Sequence, residues 1–178
     1  MSTEALVFSR AVVCLAFALS AAGKARDMSA FVHGVRSFRL LPARWSAPTA
    51  WAVLAAEVAV VALQLSGTAQ ATVGLALALG LLTAYTTSLG VLLVRRSDVR
   101  CNCFGPATRT VSAIDLVRNV LLAAAAVVGV VAVSAGEPSS LPLADAALVV
   151  LPAAALVIVV TGLDDVVAVL RTPPRNDD

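Results

Sequence analysis

Five long apolar runs divide this chain, and they limit its fold more than any other feature. They cover residues 5–22, 48–65 and 69–94, then a stretch ending near 133 after a helix-start pattern at 112–115, and finally 143–162. About 20 helical residues cross a hydrocarbon core about 30 Å thick, so every run is long enough to span. Backbone amides inside hydrocarbon must be satisfied internally, which leaves helices or closed barrels, and these runs are too long and continuous for barrel strands. The expected fold is all-α: a polytopic membrane helix bundle of about five transmembrane helices, a four-helix core plus one, in a single integral membrane domain over residues 1–178. With 60% hydrophobic and 13% charged residues, the chain has too little polar surface for a water-soluble globule. Its net charge of +2 is small and its basic residues fall mainly in connections, which sets nucleic acid aside and leaves the lipid bilayer as the first partner.

The first run also resembles a secretory signal, with small residues at 20–23. Only Arg10, offset by Glu4, precedes its apolar centre, whereas several positive charges follow it, and this favours a retained span. Residues 24–47 form a basic connection in which Met28, Phe31, Val32, Val35 and Phe38 recur at helical spacing opposite His33, Arg36 and Arg39. The segment is therefore expected to lie along the membrane surface as an amphipathic helix. Trp45 and Trp51 bracket Pro48, the pattern of interfacial anchors around a helix start. Nearly all Lys and Arg residues fall in the 24–47 connection, the 95–109 connection and the tail. The positive-inside tendency then puts the N-terminus outside a cell membrane and the second of these connections in the cytoplasm.

Polar groups inside the runs are few and informative. Glu57 lies at the centre of the second run, where an ionised carboxylate costs about 2.5–3.5 kcal/mol to insert and is expected to face a partner within the bundle. Counting about 1.5 Å per residue from the cytoplasmic ends puts Glu57 and Tyr85 about 14 Å deep, Arg118 about 8 Å, Arg10 about 20 Å and Lys24 at the surface. Arg118 is the expected partner, with Tyr85 or Asn119 satisfying the remaining hydrogen-bonding capacity. Thr83, Tyr85, Thr86, Thr87 and Ser88 are expected to bond across to neighbouring helices. Cys14 reads as a small buried apolar residue.

The densest chemistry is Cys101-Asn102-Cys103-Phe104-Gly105-Pro106, two thiols one residue apart in a polar connection ringed by Arg95, Arg96, Arg100 and Arg109. Such a pair can close a small strained disulfide of the exchange-competent kind, and nearby positive charge favours the attacking thiolate. The same spacing also admits a soft metal, lipidation or no role. No residue pattern identifies a cofactor; a quinone is an electron acceptor that the redox reading admits.

On these residues the chain resembles the methylamine utilisation protein MauE family of DoxX-like membrane proteins, over about residues 5–135. The motif Cys101-x-Cys103-Phe104-Gly105 is the most specific element, supported by Lys24 after the first run, Glu57 in the second, and Leu116-x-Arg118-Asn119 in the fourth. The resemblance implies a multi-spanning protein associated with methylamine metabolism, acting in thiol-disulfide exchange and maturation of the disulfide-rich small subunit of methylamine dehydrogenase or another disulfide-containing client. It also implies a thioredoxin-like partner. Cys101 and Cys103 would then be the redox pair, with Phe104, Gly105, Lys24, Glu57, Tyr85, Arg118 and Asn119 supporting it. The competing expectation is a non-catalytic membrane subunit or small-solute carrier that works through Glu57, Tyr85 and Arg118.

Overall fold

The computed structural model describes residues 2–95, 113–134 and 143–161. Every element among them is helical: α1 (Ser2–Arg26), α2 (Met28–Ser37), a 3-10 turn at Ala43–Trp45, α3 (Ser46–Leu65), α4 (Thr68–Val94), α5 (Ala113–Ser134) and α6 (Leu143–Thr161). The chain is a polytopic helical bundle, as its apolar runs require. Four of its helices are long and apolar enough to cross a membrane, and the fifth run forms a shorter apolar helix. The four long helices pack as a ring, α1 on α3, α3 on α4, α4 on α5 and α5 back on α1, with α6 against the outer side of α1.

In lipid the outside of a bundle is as apolar as its core, and helices associate through close packing and hydrogen bonds rather than by escaping water. The molecule follows that rule. Val58, Val73, Val127, Val131 and Ile158 are exposed, while the buried positions include Ala16, Ala50, Ala71, Ala78, Ala126 and Ala153, small side chains that let backbones approach. Gly129 on α5 marks the tightest such approach. A Cβ there would lie 2.8 Å from Ser9 Cβ of α1 and 3.0 Å from Leu75 Cδ1 of α4.

The link between α1 and α3 positions the site. Asp27 breaks the helix after Arg26 and caps α2: its carboxylate accepts hydrogen bonds from the Ala30 amide at 2.9 Å and from the Ser29 hydroxyl at 2.8 Å. The Ala30 bond, and then the Ser29 bond, hold the Asp27 carboxyl below the usual carboxylate range. The expected amphipathic helix is thus α2. Phe31 is buried, Val35 and Phe38 are half-buried, and His33, Arg36 and Arg39 are exposed. Helix α2 folds back against α3 and lays Phe31 over the end of α1.

Two intramembrane arginines are placed at helix ends. Arg10 of α1 donates to the Gln64 carbonyl and, at 2.7 Å, to the Ser66 carbonyl at the end of α3. Arg118 of α5 donates from Nε to the Val160 carbonyl at 2.8 Å and from its second terminal nitrogen to the Thr161 carbonyl at 3.0 Å, in the last turn of α6. The final carbonyls of a helix have no intrahelical donor and carry the negative end of its dipole, so a guanidinium placed there satisfies both demands. Cys14 is half-buried rather than enclosed.

The Gly129 contact makes a direct expectation. Gly129→Val forces α1 or α4 away from α5 and should destabilise the bundle by about 1–3 kcal/mol, the usual range for overpacking. Gly80→Ala, where an added Cβ meets nothing within 4 Å, should leave the melting temperature little changed or slightly raised. Thermal unfolding of the two purified variants measures the difference.

Candidate functional site

Three helices converge on one carboxylate oxygen. Glu57, on the bundle-facing side of α3, is fully buried, and its Oε1 accepts hydrogen bonds from Lys24 Nζ at 2.6 Å, Tyr85 OH at 2.7 Å and Ser20 Oγ at 2.9 Å. Ser20 and Lys24 stand one turn apart on the same face of α1, and the ammonium also donates to Ser20 Oγ at 2.5 Å. Tyr85 reaches in from α4. Lys24 and Glu57 form an ion pair with both side chains sealed from solvent.

This arrangement corrects the expected partner of Glu57. Arg118 does not meet it; its guanidinium is engaged at the end of α6 and with Asp115 Oδ1, 3.5 Å away and one turn earlier on α5. Lys24 takes its place although its backbone lies near the end of α1. Its side chain turns inward along the bundle instead of snorkelling outward, and α2 covers it, with the ammonium 5.2 Å from the centre of the Phe31 ring and 5.4 Å from that of Tyr85. Lys24 is 1% exposed, not at the surface. The expectation of cross-helix bonds from the α4 hydroxyls is also corrected. Thr83 donates to the Leu79 carbonyl, Thr87 to that of Thr83 and Ser88 to that of Ala84, each one turn back within α4, while Tyr85 is the residue that crosses. Short hydroxyl side chains find the carbonyl of the preceding turn before they reach another helix.

The structure therefore brings together Lys24, Glu57 and Tyr85 from the sequence-derived set, and adds Ser20. The helical spacing of Ser20 to Lys24 was the available signal for it. Asn119 lines a small cavity of about 10 Å³ together with Ser20, Glu57 and Tyr85, enough space for about one water molecule. Glu57 Oε2 is buried and has no hydrogen-bond partner among the described residues. The positions Cys101, Cys103, Phe104 and Gly105 lie outside the described residues, in the connection between α4 and α5. Among the described residues no group of three or more His, Cys, Asp or Glu side chains could hold a metal ion.

Chemically, the cluster is a compact donor-acceptor set in a medium where an unpaired charge is very costly. Lys24→Met or Glu57→Gln alone leaves the partner uncompensated and should cost about 3–5 kcal/mol. The double variant should lose much less than the sum, whereas Glu57→Gln combined with Arg118→Met should be additive, because those residues belong to separate networks. Thermal unfolding of the set in detergent tests this. Additive losses for Lys24 and Glu57 would refute the coupling.

The profile of the family described as methylamine utilisation protein MauE matches residues 2–132. No curated protein and no solved structure matches the chain. The matched region runs from α1 into the last turn of α5 and includes the buried Lys24–Glu57 pair and the Cys101-x-Cys103 motif, and the chain belongs to the MauE family of methylamine utilisation membrane proteins.

Proposed function

We propose that this MauE-family membrane protein acts by thiol-disulfide exchange through Cys101 and Cys103, passing a disulfide to or from a thioredoxin-like partner that serves a disulfide-containing client. The observation that carries this reading is the sequence motif Cys101-x-Cys103-Phe104-Gly105 lying inside the family match, between the helices that supply Tyr85 and Asn119. In the exchange, a thiolate of one protein attacks a sulfur of the other's disulfide, a mixed disulfide forms, and a second thiolate resolves it. One disulfide is lost and one gained, and two electrons move in the opposite direction to the disulfide. The arginines at 95, 96, 100 and 109 favour the thiolate form. The client is the small subunit of a methylamine dehydrogenase or another disulfide-containing protein.

Removal of the resolving thiol tests the proposal. In Cys103→Ser the remaining Cys101 cannot be released internally, so a mixed disulfide with a thioredoxin-like protein should accumulate and should vanish on reduction; Cys101→Ser tests the opposite assignment. Full function in both single variants and in the double variant refutes the exchange. It favours a non-catalytic subunit or small-solute carrier instead, working through the buried Lys24, Glu57 and Tyr85 cluster.

Orientation follows from the same chain. The order of the spans gives the connection after α1 and the connection after α4 the same side, and in the sequence these two stretches hold Lys24, Arg26, Arg36, Arg39, Arg44, Arg96, Arg100 and Arg109. By the positive-inside tendency that excess supports a cytoplasmic position for this side. A membrane-impermeant maleimide should therefore label the reduced pair only after cells are permeabilised. Labelling in intact cells reverses the orientation.

A further inference from the structure

The sealed Lys24–Glu57 pair offers no accessible charge to the cavity of about 180 Å³ between α2, α3 and α4. The opposite end of the bundle does present one. There a groove of about 410 Å³ lies between α1, α3 and α6, walled by Val7, Ala11, Leu15, Leu65 and Val150, with Arg10 as the charged residue of its lining. It is open to the surrounding lipid, because Leu65 and Val150 are exposed. An apolar cavity of about 150 Å³ takes up benzene, so the groove has room for a stretch of acyl chain.

The protein uses only part of Arg10. A guanidinium has five N–H donors in a planar fork. One terminal nitrogen of Arg10 donates to the Gln64 and Ser66 carbonyls, and among the described residues nothing accepts from Nε or from the other terminal nitrogen. These unused donors are not enclosed: Arg10 is half-buried, and neither nitrogen is among the buried polar atoms that lack a partner. The Gln64 amide on the same wall is sealed, so a guest meets the guanidinium and not the amide. Among the described residues Arg10 has no carboxylate partner. The end of α3 that it caps supplies only about half a negative charge, which leaves this end of the groove positive.

Depth decides which anion fits. Ser66 is the C-cap of α3, so its carbonyl marks the end of the span, and Arg10 reaches it. The guanidinium therefore stands near headgroup level, with Ala11, Cys14 and Leu15 following it toward the middle of the bilayer. A soluble anion would leave the apolar walls empty, whereas a lipid phosphate brings both an arginine-matching pair of oxygens and a chain.

We propose that this groove binds one anionic phospholipid, its phosphate oxygens accepting from Nε and the free terminal nitrogen of Arg10 and one acyl chain lying between α1 and α6. Neither Cys101 nor Cys103 lines the groove, so binding is separable from thiol exchange.

The test uses delipidated full-length protein in dodecyl maltoside, in a Cys101→Ser, Cys103→Ser background that leaves Cys14 of the groove as the single thiol. Dioleoylphosphatidylglycerol is compared with dioleoylphosphatidylcholine, oleate and inorganic phosphate, by thermal unfolding and by the rate at which N-ethylmaleimide modifies Cys14. Phosphatidylglycerol should raise the melting temperature and slow the modification saturably, at a concentration about fivefold below that needed of phosphatidylcholine, the preference that one arginine near the membrane surface provides. Arg10→Gln should remove that preference. Leu65→Glu, at an exposed lining position at the end of α3, supplies a carboxylate from the protein itself and should remove it too; it decides the matter if Arg10→Gln fails to fold for want of its cap on α3. Four results overturn the proposal: equal binding of phosphatidylcholine, equal protection by inorganic phosphate, tighter binding of oleate, or an undiminished preference in whichever variant folds.

Discussion

A single carboxylate oxygen holds this bundle in register. Glu57 Oε1 receives donors from Ser20 and Lys24 on α1 and from Tyr85 on α4 while standing on α3, so three of the four ring helices meet at one atom. In hydrocarbon there is little hydrophobic penalty for separating two apolar helices, and directional polar contacts therefore weigh more in fixing rotation and depth. A buried ion pair with one partner missing is the costly alternative, which makes the three-helix arrangement strongly preferred over rotated ones. The same pair divides the space around it, with the small cavity on the Asn119 side and the larger apolar one beneath α2.

Much of this was legible in the residues. The apolar runs gave the bundle because backbone satisfaction in lipid leaves so few options. The alternation of Phe31, Val35 and Phe38 with His33 and Arg36 gave α2, and the isolated carboxylate at Glu57 announced a buried partnership because no other arrangement is tolerable at mid-span. Tyr85 was recognisable as a member of that partnership from its depth alone.

The identity of the cation was not legible, for a geometric reason. Counting residues along a span locates a backbone atom, whereas the charge of a lysine or arginine sits at the end of a long flexible stem that can point either way. Lys24 was placed at the surface by its backbone and is enclosed because its stem runs inward and α2 closes over it, a fold-back that hinges on Asp27. Arg118 is expected at Glu57 because its depth and the length of its side chain put a guanidinium within reach. The negative end of a neighbouring helix is an equally good partner, and it leaves no trace in the order of residues. The α4 hydroxyls failed for a similar reason, since a carbonyl in their own helix competes successfully with any neighbour.

The arginine caps bear on how the chain is made. Arg10 finds its carbonyls at Gln64 and Ser66, and Arg118 finds its own at Val160 and Thr161, in each case on a helix synthesised later. Helix α1 therefore enters the membrane carrying Arg10 and Lys24, two cations whose acceptors on α3 do not yet exist. Those charges find their α3 partners only once α3 is in place, which ties the position of α1 to that of α3. Arg118 differs, because Asp115 stands one turn back on its own helix and the α6 carbonyls add to that partner.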